Sequence, residues 1–470
     1  MVAWPSLYRS LYSHRSFPVP PLPSSVASAA RKQLVRGEHI VASDTRRDLR
    51  NLRESLRLLV LVVVVAAAMG VAAWAFLASL DAVGAFRDAN RIIFLGLPVV
   101  GVATAWLYRT YGKGAARGNN LVIDSTLANA TVPLRMAPFT FVCSVATHLV
   151  GGSAGREGTA VQIGGTIAST VSRLLHLTGR DHQDLMLSGI SAAFGAVFGT
   201  PLAGTFFGME MCFVGKLHYN AGIYCLVASF VGDMVSRALG TTHAAYAIAE
   251  VPALEPATVL MVVGAAVIFG LMARLFSFAI RTVKRFWASR ITNYLTAALL
   301  GSLLVLGAYV VLNAYSYAGL STWLVTSGLE GSTSLIDPFM KLLMTALTLG
   351  AGFQGGEVTP LFGIGASLGG WLGTVLSTEP SFMAALGLLG VFGAALNVPI
   401  TTIMLGIDLF GGNAVAYFVI VSFVSYLVAG HRGVYPAQRI IMPKRRSLDA
   451  DENLTVDEAI ERHRNETEAS

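Results

Sequence analysis

The sequence predicts an all-α polytopic membrane protein, its helices tilted and broken and arranged in two inverted-topology repeats. Three observations predict it. Of 470 residues, 54% are hydrophobic and 13% charged, and the mean hydropathy is +0.61, a composition typical of membrane-embedded chains. Residues 58–80 carry no charge and are long enough to span a bilayer. Several other apolar runs, such as 341–353 and 399–410, are too short to span, and Gly or Pro interrupts them. Short broken runs in matching places of two halves mark transporters whose site lies between half-helices.

Taken from the N-terminus, residues 1–57 hold ten Lys/Arg against four Asp/Glu. The first 37 contain no acid and several Ser and Pro, which reads as a disordered basic tail, or an extension upstream of the true start, rather than a transit peptide. The positive-inside rule places this segment in the cytoplasm, together with the loop carrying Arg109, Lys113 and Arg117 and the Lys444-Arg445-Arg446 run. Both termini of a multi-pass plasma (inner) membrane protein are therefore expected inside. In this reading the net charge of +7 reports topology, and no nucleic-acid partner is expected. Cys143, Cys212 and Cys225 lie in apolar runs and read as buried thiols without a disulfide framework. A transport domain is drawn over 58–430. The tail 431–470 is too short for an appended regulatory domain of usual size.

Two blocks repeat. Gly155-Arg156-Glu157-Gly158-Thr159 and Gly355-Gly356-Glu357-Val358-Thr359 share Gly-x-Glu-x-Thr, each with a glycine six residues after the Thr, at Gly165 and Gly365. Ala193-Phe194-Gly195-Ala196 through Pro201 to Glu210 matches Val391-Phe392-Gly393-Ala394 through Pro399 to Asp408. The offsets, 200 and 198 residues, relate halves at about 90–240 and 290–430. If each half makes an odd number of passages, the halves lie upside down to one another with the site at their interface.

The first block puts the carboxylate of Glu157 at the start of an apolar helical run. Helix N-termini carry free N–H groups and partial positive charge, so two that face each other form an anion site. A carboxylate placed there is itself an anion that can occupy the site or yield it, as a gate does. Arg156 and Glu157 could also form a plain buried ion pair, although adjacent residues at a helix start point apart. Asn119, in Gly118-Asn119-Asn120, reads both as an N-cap and as an amide donor to an arriving anion. Tyr435 at a membrane edge reads on pattern alone as a belt residue. Gly151-Gly152-Ser153-Ala154-Gly155 matches the G-x-S-x-G elbow of hydrolases, but it lacks a soluble strand–turn–helix context and an acid to orient the nearby His148. A tight anion-coordinating turn suits it better. No cofactor or metal is expected.

Together these segments resemble the CLC chloride channel/transporter family over about residues 58–436. Gly155-Arg156-Glu157-Gly158 is similar to the family's GREGP signature, with Thr159 in place of Pro. Gly355 to Pro360 stands where the family usually has GGIFAP, Phe198 to Gly204 where it has FNAPLAG, and Gly118-Asn119-Asn120-Leu121-Val122 where it has GSGIP. The resemblance implies a CLC-type fold and a homodimer with one pathway per subunit, and it makes Tyr435 the family's central tyrosine. Asn119 for Ser, Thr159 for Pro and Glu357-Val358-Thr359 for Ile-Phe-Ala occur together in the fluoride-exporting branch. The resemblance thus implies a fluoride/proton antiporter that uses the inward proton gradient to export fluoride across the lipid bilayer and so confers fluoride resistance. A chloride/proton exchanger or chloride channel of the same family is the alternative. Aligning Glu210 with the first of the chloride exchangers' paired glutamates puts Met211 at their inner proton-transfer position, so that relay is absent here, as in the fluoride branch.

The expected site joins Glu157 as gate and proton carrier to anion-binding Gly118, Asn119, Arg156, Gly158, Val358, Thr359 and Tyr435, with Glu357 as a second acid. Fluoride holds its water tightly, so its site must return that energy through short, strong hydrogen bonds. A serine hydroxyl would donate as well as Asn119, so preference for fluoride over chloride comes from the resemblance rather than from donor count.

Overall fold

The computed structural model describes residues 24–128 and 130–469. Of the expected basic segment 1–57, residues 1–23 lie outside these. The chain divides into two units, 1–57 and 58–470, and all the expected site residues lie in the second.

Among the described residues there are seventeen α-helices. After α1 (Ser24–Ala89), the first half holds α2 (Leu97–Tyr111), α3 (Asn119–Ala128), α4 (Met136–Leu149), α5 (Glu157–Leu174), α6 (Gly179–Phe198), α7 (Pro201–Glu210) and α8 (Gly222–Ala238). After α9 (Pro256–Arg290) come α10 (Tyr294–Leu312), α11 (Trp323–Leu329), α12 (Ile336–Gly350), α13 (Val358–Val375), α14 (Pro380–Leu396), α15 (Pro399–Phe410) and α16 (Val415–Ala429), with α17 (Val456–Ala469) in the tail. Among the described residues six helical segments are long and apolar enough to cross a membrane: α9, α10, α13, the Leu52–Ala89 part of α1, and α2 and α8 each extended by the preceding 3-10 turn, as Arg91–Tyr111 and Tyr219–Ala238. Others are short: the 12 residues of α15 reach only about 18 Å of a roughly 30 Å hydrocarbon core.

Matching local chemistry sets the breaks in both halves. Gly199 closes α6 in a left-handed conformation (φ 70°) and Pro201 opens α7. Asn397 closes α14 in the same conformation (φ 63°) and Pro399 opens α15. A left-handed cap followed by Pro in the first turn stops one helix and restarts the next. The restarted helices then cap each other. Glu210, ending α7, accepts from Ile400 N (3.1 Å), Thr401 N (2.8 Å) and Thr401 Oγ1 (2.7 Å) at the start of α15. Asp408, near the end of α15, accepts from Ala203 N (2.9 Å) in the first turn of α7.

Small residues bring the core helices close. A Cβ on Gly164 of α5 would lie 2.3 Å from the Gly189 carbonyl of α6, and one on Gly365 of α13 would lie 2.3 Å from the Gly387 carbonyl of α14. Such crossings are how helices associate where lipid offers no hydrophobic drive.

The tail is more than a plain extension. Strand β1 (Phe213–Val214), just after α7, pairs in parallel with β2 (Arg439–Ile440). Gln438 Nε2 donates to the carbonyls of Met211 (2.9 Å) and Leu396 (2.7 Å). Val214, Tyr426, Ile440, Val456 and Ala459 form a small apolar cluster under α17.

Candidate functional site

Two glycine-rich turns cross at the centre of the molecule. Gly155 and Gly356 form an antiparallel bridge, with Gly155 N donating to Gly356 O (2.6 Å) and Gly356 N to Gly155 O (2.7 Å). Only glycine fits here: a Cβ on Gly356 would stand 2.6 Å from Gly158 N. The turn before α5 is fixed from α10 and α12. Tyr309 Oη donates to Gly151 O (2.6 Å), Ser153 N to Thr348 Oγ1 (3.2 Å), and Lys341 Nζ to Ser153 Oγ (3.0 Å). The ring nitrogens of His148 face the carbonyls of Ser144 and Ala154, not Ser153. Ser153 is therefore a tie in the turn, not half of a Ser–His pair.

From this crossing the Glu157 side chain reaches over to the N-terminus of α13. Its Oε2 accepts from Thr359 N (3.1 Å) and from its neighbour's Arg156 N (3.1 Å), and its Oε1 accepts from Thr359 Oγ1. The carboxylate is 1% exposed. An acid buried within a membrane-spanning domain is costly and is usually functional; here hydrogen bonds and a helix N-terminus offset that cost. The side chains of Arg156 and Glu157 do meet, with Nε 3.4 Å from Oε1, against the expectation that neighbours point apart. Glu157 turns back along its own helix start, so adjacency in sequence does not separate the two groups. The Arg156 guanidinium also lies over the Phe198 ring at 6.0 Å.

Asn119 opens α3 and adjoins the same crossing. A Cβ on Gly158 would lie 3.0 Å from Asn119 Nδ2 and 3.3 Å from Glu357 Oε2. Tyr435 is 2% exposed and lines the same cavity as Asn119 and Glu357. Asn119 Oδ1, Glu357 Oε2 and Tyr435 Oη are all buried without a hydrogen-bond partner. Buried polar atoms are normally paired, so three unpaired ones beside two helix N-termini mark a candidate binding site. Asn120 Oδ1 accepts from Ala437 N (3.1 Å), which ties the Tyr435 segment to α3. Gly118 holds φ 56° directly before α3, a conformation that suits glycine.

A cavity of about 970 Å³ opens onto this cluster. Gly118, Asn119, Glu357 and Tyr435 form its floor, and Arg109, Lys113, Arg117, Arg281 and Lys284 are in its walls. Such a basic funnel concentrates anions. Glu157, Gly158, Val358, Thr359 and Arg156 lie behind that floor rather than in the cavity wall. The expected residues thus fall in two groups: those that line the cavity, Glu357 among them, and those that do not, Glu157 and Thr359 among them.

Gln162 was missed by the sequence reading. It sits one turn into α5 from Gly158, is 4% exposed with Oε1 unpartnered, and lines the cavity beside Gly118. Its i, i+4 spacing from Gly158 was the available signal. Arg281 and Lys284 were missed too, since only the fold brings α9 to the mouth. Glu210 stands as a helix cap rather than facing this cavity.

Comparison with known proteins follows this geometry. The profile of the family described as "Voltage gated chloride channel" matches residues 100–430. A "Chloride/fluoride channel protein" of Pseudomonas syringae pv. tomato is 38% identical over 389 residues, 81% of this chain and 86% of that protein. The "H(+)/Cl(-) exchange transporter ClcA" of Vibrio cholerae is 25% identical over 58% of this chain and 62% of its own length. Among solved structures, a CLC-type fluoride/proton antiporter superimposes with a TM-score of 0.80 at 34% identity, covering 82% of this chain and 98% of that one. A slow cyanobacterial Cl⁻/H⁺ antiporter reaches 0.64 at 19% identity, covering 79% and 94%, a likeness of fold alone. With the crossed glycine turns, the paired half-helices and a family match over most of its length, the chain belongs to the CLC family, the voltage gated chloride channels.

Proposed function

We propose that the protein is a fluoride/proton antiporter that exports fluoride from the cytoplasm on the inward proton gradient. The observation that carries this reading is the Glu157 carboxylate seated on the backbone and hydroxyl of Thr359 at the start of α13. It occupies the donors that an anion would use. Protonated, Glu157 no longer competes for them, so the anion enters as the carboxylate takes up a proton, and one group couples both ions. Glu357, unpartnered between the cavity and Glu157, is the second acid that passes the proton on. Asn119, Tyr435 and Gln162 hold the anion on the cavity side.

The preference for fluoride is supported by the Asn119, Glu357 and Thr359 departures, and by the names of the Pseudomonas relative and of the antiporter structure. The transport domain is assigned to 58–430, with inverted halves at 90–240 and 290–430, in a homodimer of the plasma membrane. Both termini and the basic cavity face the cytoplasm. The test is flux from liposomes loaded with fluoride or with chloride. Fluoride efflux with accompanying proton uptake and little chloride efflux is expected; equal chloride and fluoride flux assigns the protein to chloride/proton exchange instead.

A further inference from the structure

A second cavity, of about 680 Å³, lies where α9 and the end of α16 meet the folded tail. Arg274, Arg281 and Arg285 of α9 line it, with Arg432 and Arg445 from the segments after α16. Arg274, Phe278, Arg281 and Arg285 follow one another at i, i+4, i+7 and i+11, so they share one face of α9. Like charges stacked in this way repel one another. Arg432 adds to the crowd: burial first, and then Arg274, holds its guanidinium below the ordinary arginine range.

The acids nearby are engaged elsewhere. Asp451, fully buried in the wall, receives His431 Nδ1 (3.1 Å) and His463 Nε2 (2.9 Å) on Oδ2 and Arg462 (3.4 Å) on Oδ1. Glu466 pairs with Arg462 at 2.9 Å. Arg281 donates through Nη2 to Gly433 O (2.7 Å) and has Asp457 at 3.6 Å as its one acid, while its Nε and Nη1 lack hydrogen-bond partners. Among the described residues no ion pair engages Arg274, Arg285 or Arg432.

The pocket is apolar on one side. Phe278 is 58% exposed on a helix long enough to cross the membrane, and Val428, Leu448 and Ile460 complete that wall. Guanidiniums with planar forks beside an exposed apolar helix face match a phosphate carrying acyl chains. We propose that this pocket binds the phosphate headgroup of an anionic phospholipid, its chains lying along the Phe278 face of α9. Ser277 and Arg281 line both this pocket and the anion-site cavity, so the headgroup sits one side chain away from the anion path. The site does not depend on which anion the transport domain carries.

The test uses the full-length protein in detergent, stripped of lipid, with its thermal unfolding followed as phosphatidylglycerol, phosphatidylcholine or inorganic phosphate is added. Phosphatidylglycerol is expected to raise the midpoint, and the other two are not. In an Arg274→Gln, Arg432→Gln double variant the same rise should need about thirtyfold more phosphatidylglycerol, as loss of two interfacial charges implies. Arg290→Gln, on α9 but outside the pocket, should respond as the unmodified protein does. An unchanged response in the double variant, an equal loss in Arg290→Gln, or stabilisation by inorganic phosphate as strong as by the lipid would each overturn the proposal. If the Gln pair does not fold, the Lys pair keeps the charge but loses the fork; it should bind phosphatidylglycerol more weakly, and failure to discriminate it from phosphatidylcholine would overturn the proposal equally.

Discussion

The Glu157 carboxylate accepts the backbone N–H of Thr359, 202 residues further along the chain, at 3.1 Å. Together with the Gly155–Gly356 pair, this bond joins the two repeated blocks and sets their acids apart. Glu157 lies outside the cavity lining on a helix N-terminus, whereas Glu357 stands at the N-cap position of that same helix without a side-chain capping bond and lines the cavity with Oε2 unpartnered.

If Glu157 is the shared carrier, Glu157→Gln removes proton coupling. Gln keeps the shape and can still meet Thr359, but it cannot take up a proton near neutral pH. Liposomes loaded with fluoride and carrying this variant should show no fluoride-driven proton uptake in a weakly buffered medium. Uptake equal to that of the unmodified protein would remove Glu157 from the coupling.

Much of this was legible in the sequence, because the crossing is written in local grammar. Gly-x-Glu-x-Thr twice, and Phe-Gly-Ala with Pro twice, placed the breaks before α5, α7, α13 and α15. Glu157, Asn119, Thr359 and Tyr435 converge as the repeats and the resemblance implied. What stayed hidden depends on long-range packing. Gln162 carries no motif and earns its place only by its turn of α5 beside Gly118. Arg281 and Lys284 sit in an otherwise ordinary apolar helix, and nothing local says that α9 reaches the mouth. The fold of the tail depends on a two-residue parallel pairing too short to leave a pattern.

Thr359 offers Glu157 both a backbone and a hydroxyl donor, and only the hydroxyl can be removed by substitution. A hydrogen bond to a charged group contributes about 1.5–3 kcal/mol. Thr359→Val is therefore expected to slow coupled fluoride flux about tenfold to a hundredfold, and Thr359→Ser to restore most of it. Initial rates by fluoride electrode check this; a Val variant as fast as Ser would show that the hydroxyl plays no part in transport.

Lys284 and Arg281 act at a distance, through the field in the cavity mouth. Such fields are screened over about 10 Å at 0.1 M salt. Lys284→Gln should cut the initial fluoride rate a few-fold at low ionic strength, with the difference fading as an impermeant salt is added. A deficit that does not change with salt would point to a local contact of Lys284 instead.

Lys341 is fully buried, and its Nζ, with three N–H groups, lies within hydrogen-bond distance of four acceptors, Ser153 Oγ (3.0 Å), Tyr317 O (3.2 Å), Gly319 O (2.8 Å) and Ser321 Oγ (3.0 Å). One ammonium thus holds the turn before α5 to the segment between α10 and α11. Lys341→Met fills the space but strands these acceptors, each unpaired group costing about 1–3 kcal/mol. The variant should melt well below the unmodified protein in detergent, whereas Ser153→Ala, which removes a single partner, should lower the midpoint only slightly.

The reciprocal caps separate structure from proton transfer. Glu210 satisfies three donors at the start of α15, and Asp408 one at the start of α7, so each acid supports the helix that carries the other. Removing a helix cap costs about 0.5–2 kcal/mol, and because both caps clamp one helix pair their losses should not add. Glu210→Ala and Asp408→Ala should each lower the melting midpoint, with the double variant falling by less than their sum. The proton count should not follow. Glu210 lies among backbone donors instead of on the cavity floor, so Glu210→Ala protein that folds should take up as many protons per fluoride as the unmodified chain. A change in that ratio, measured from paired fluoride and pH electrodes, would make Glu210 part of the proton route and return the chloride-exchanger pattern to consideration.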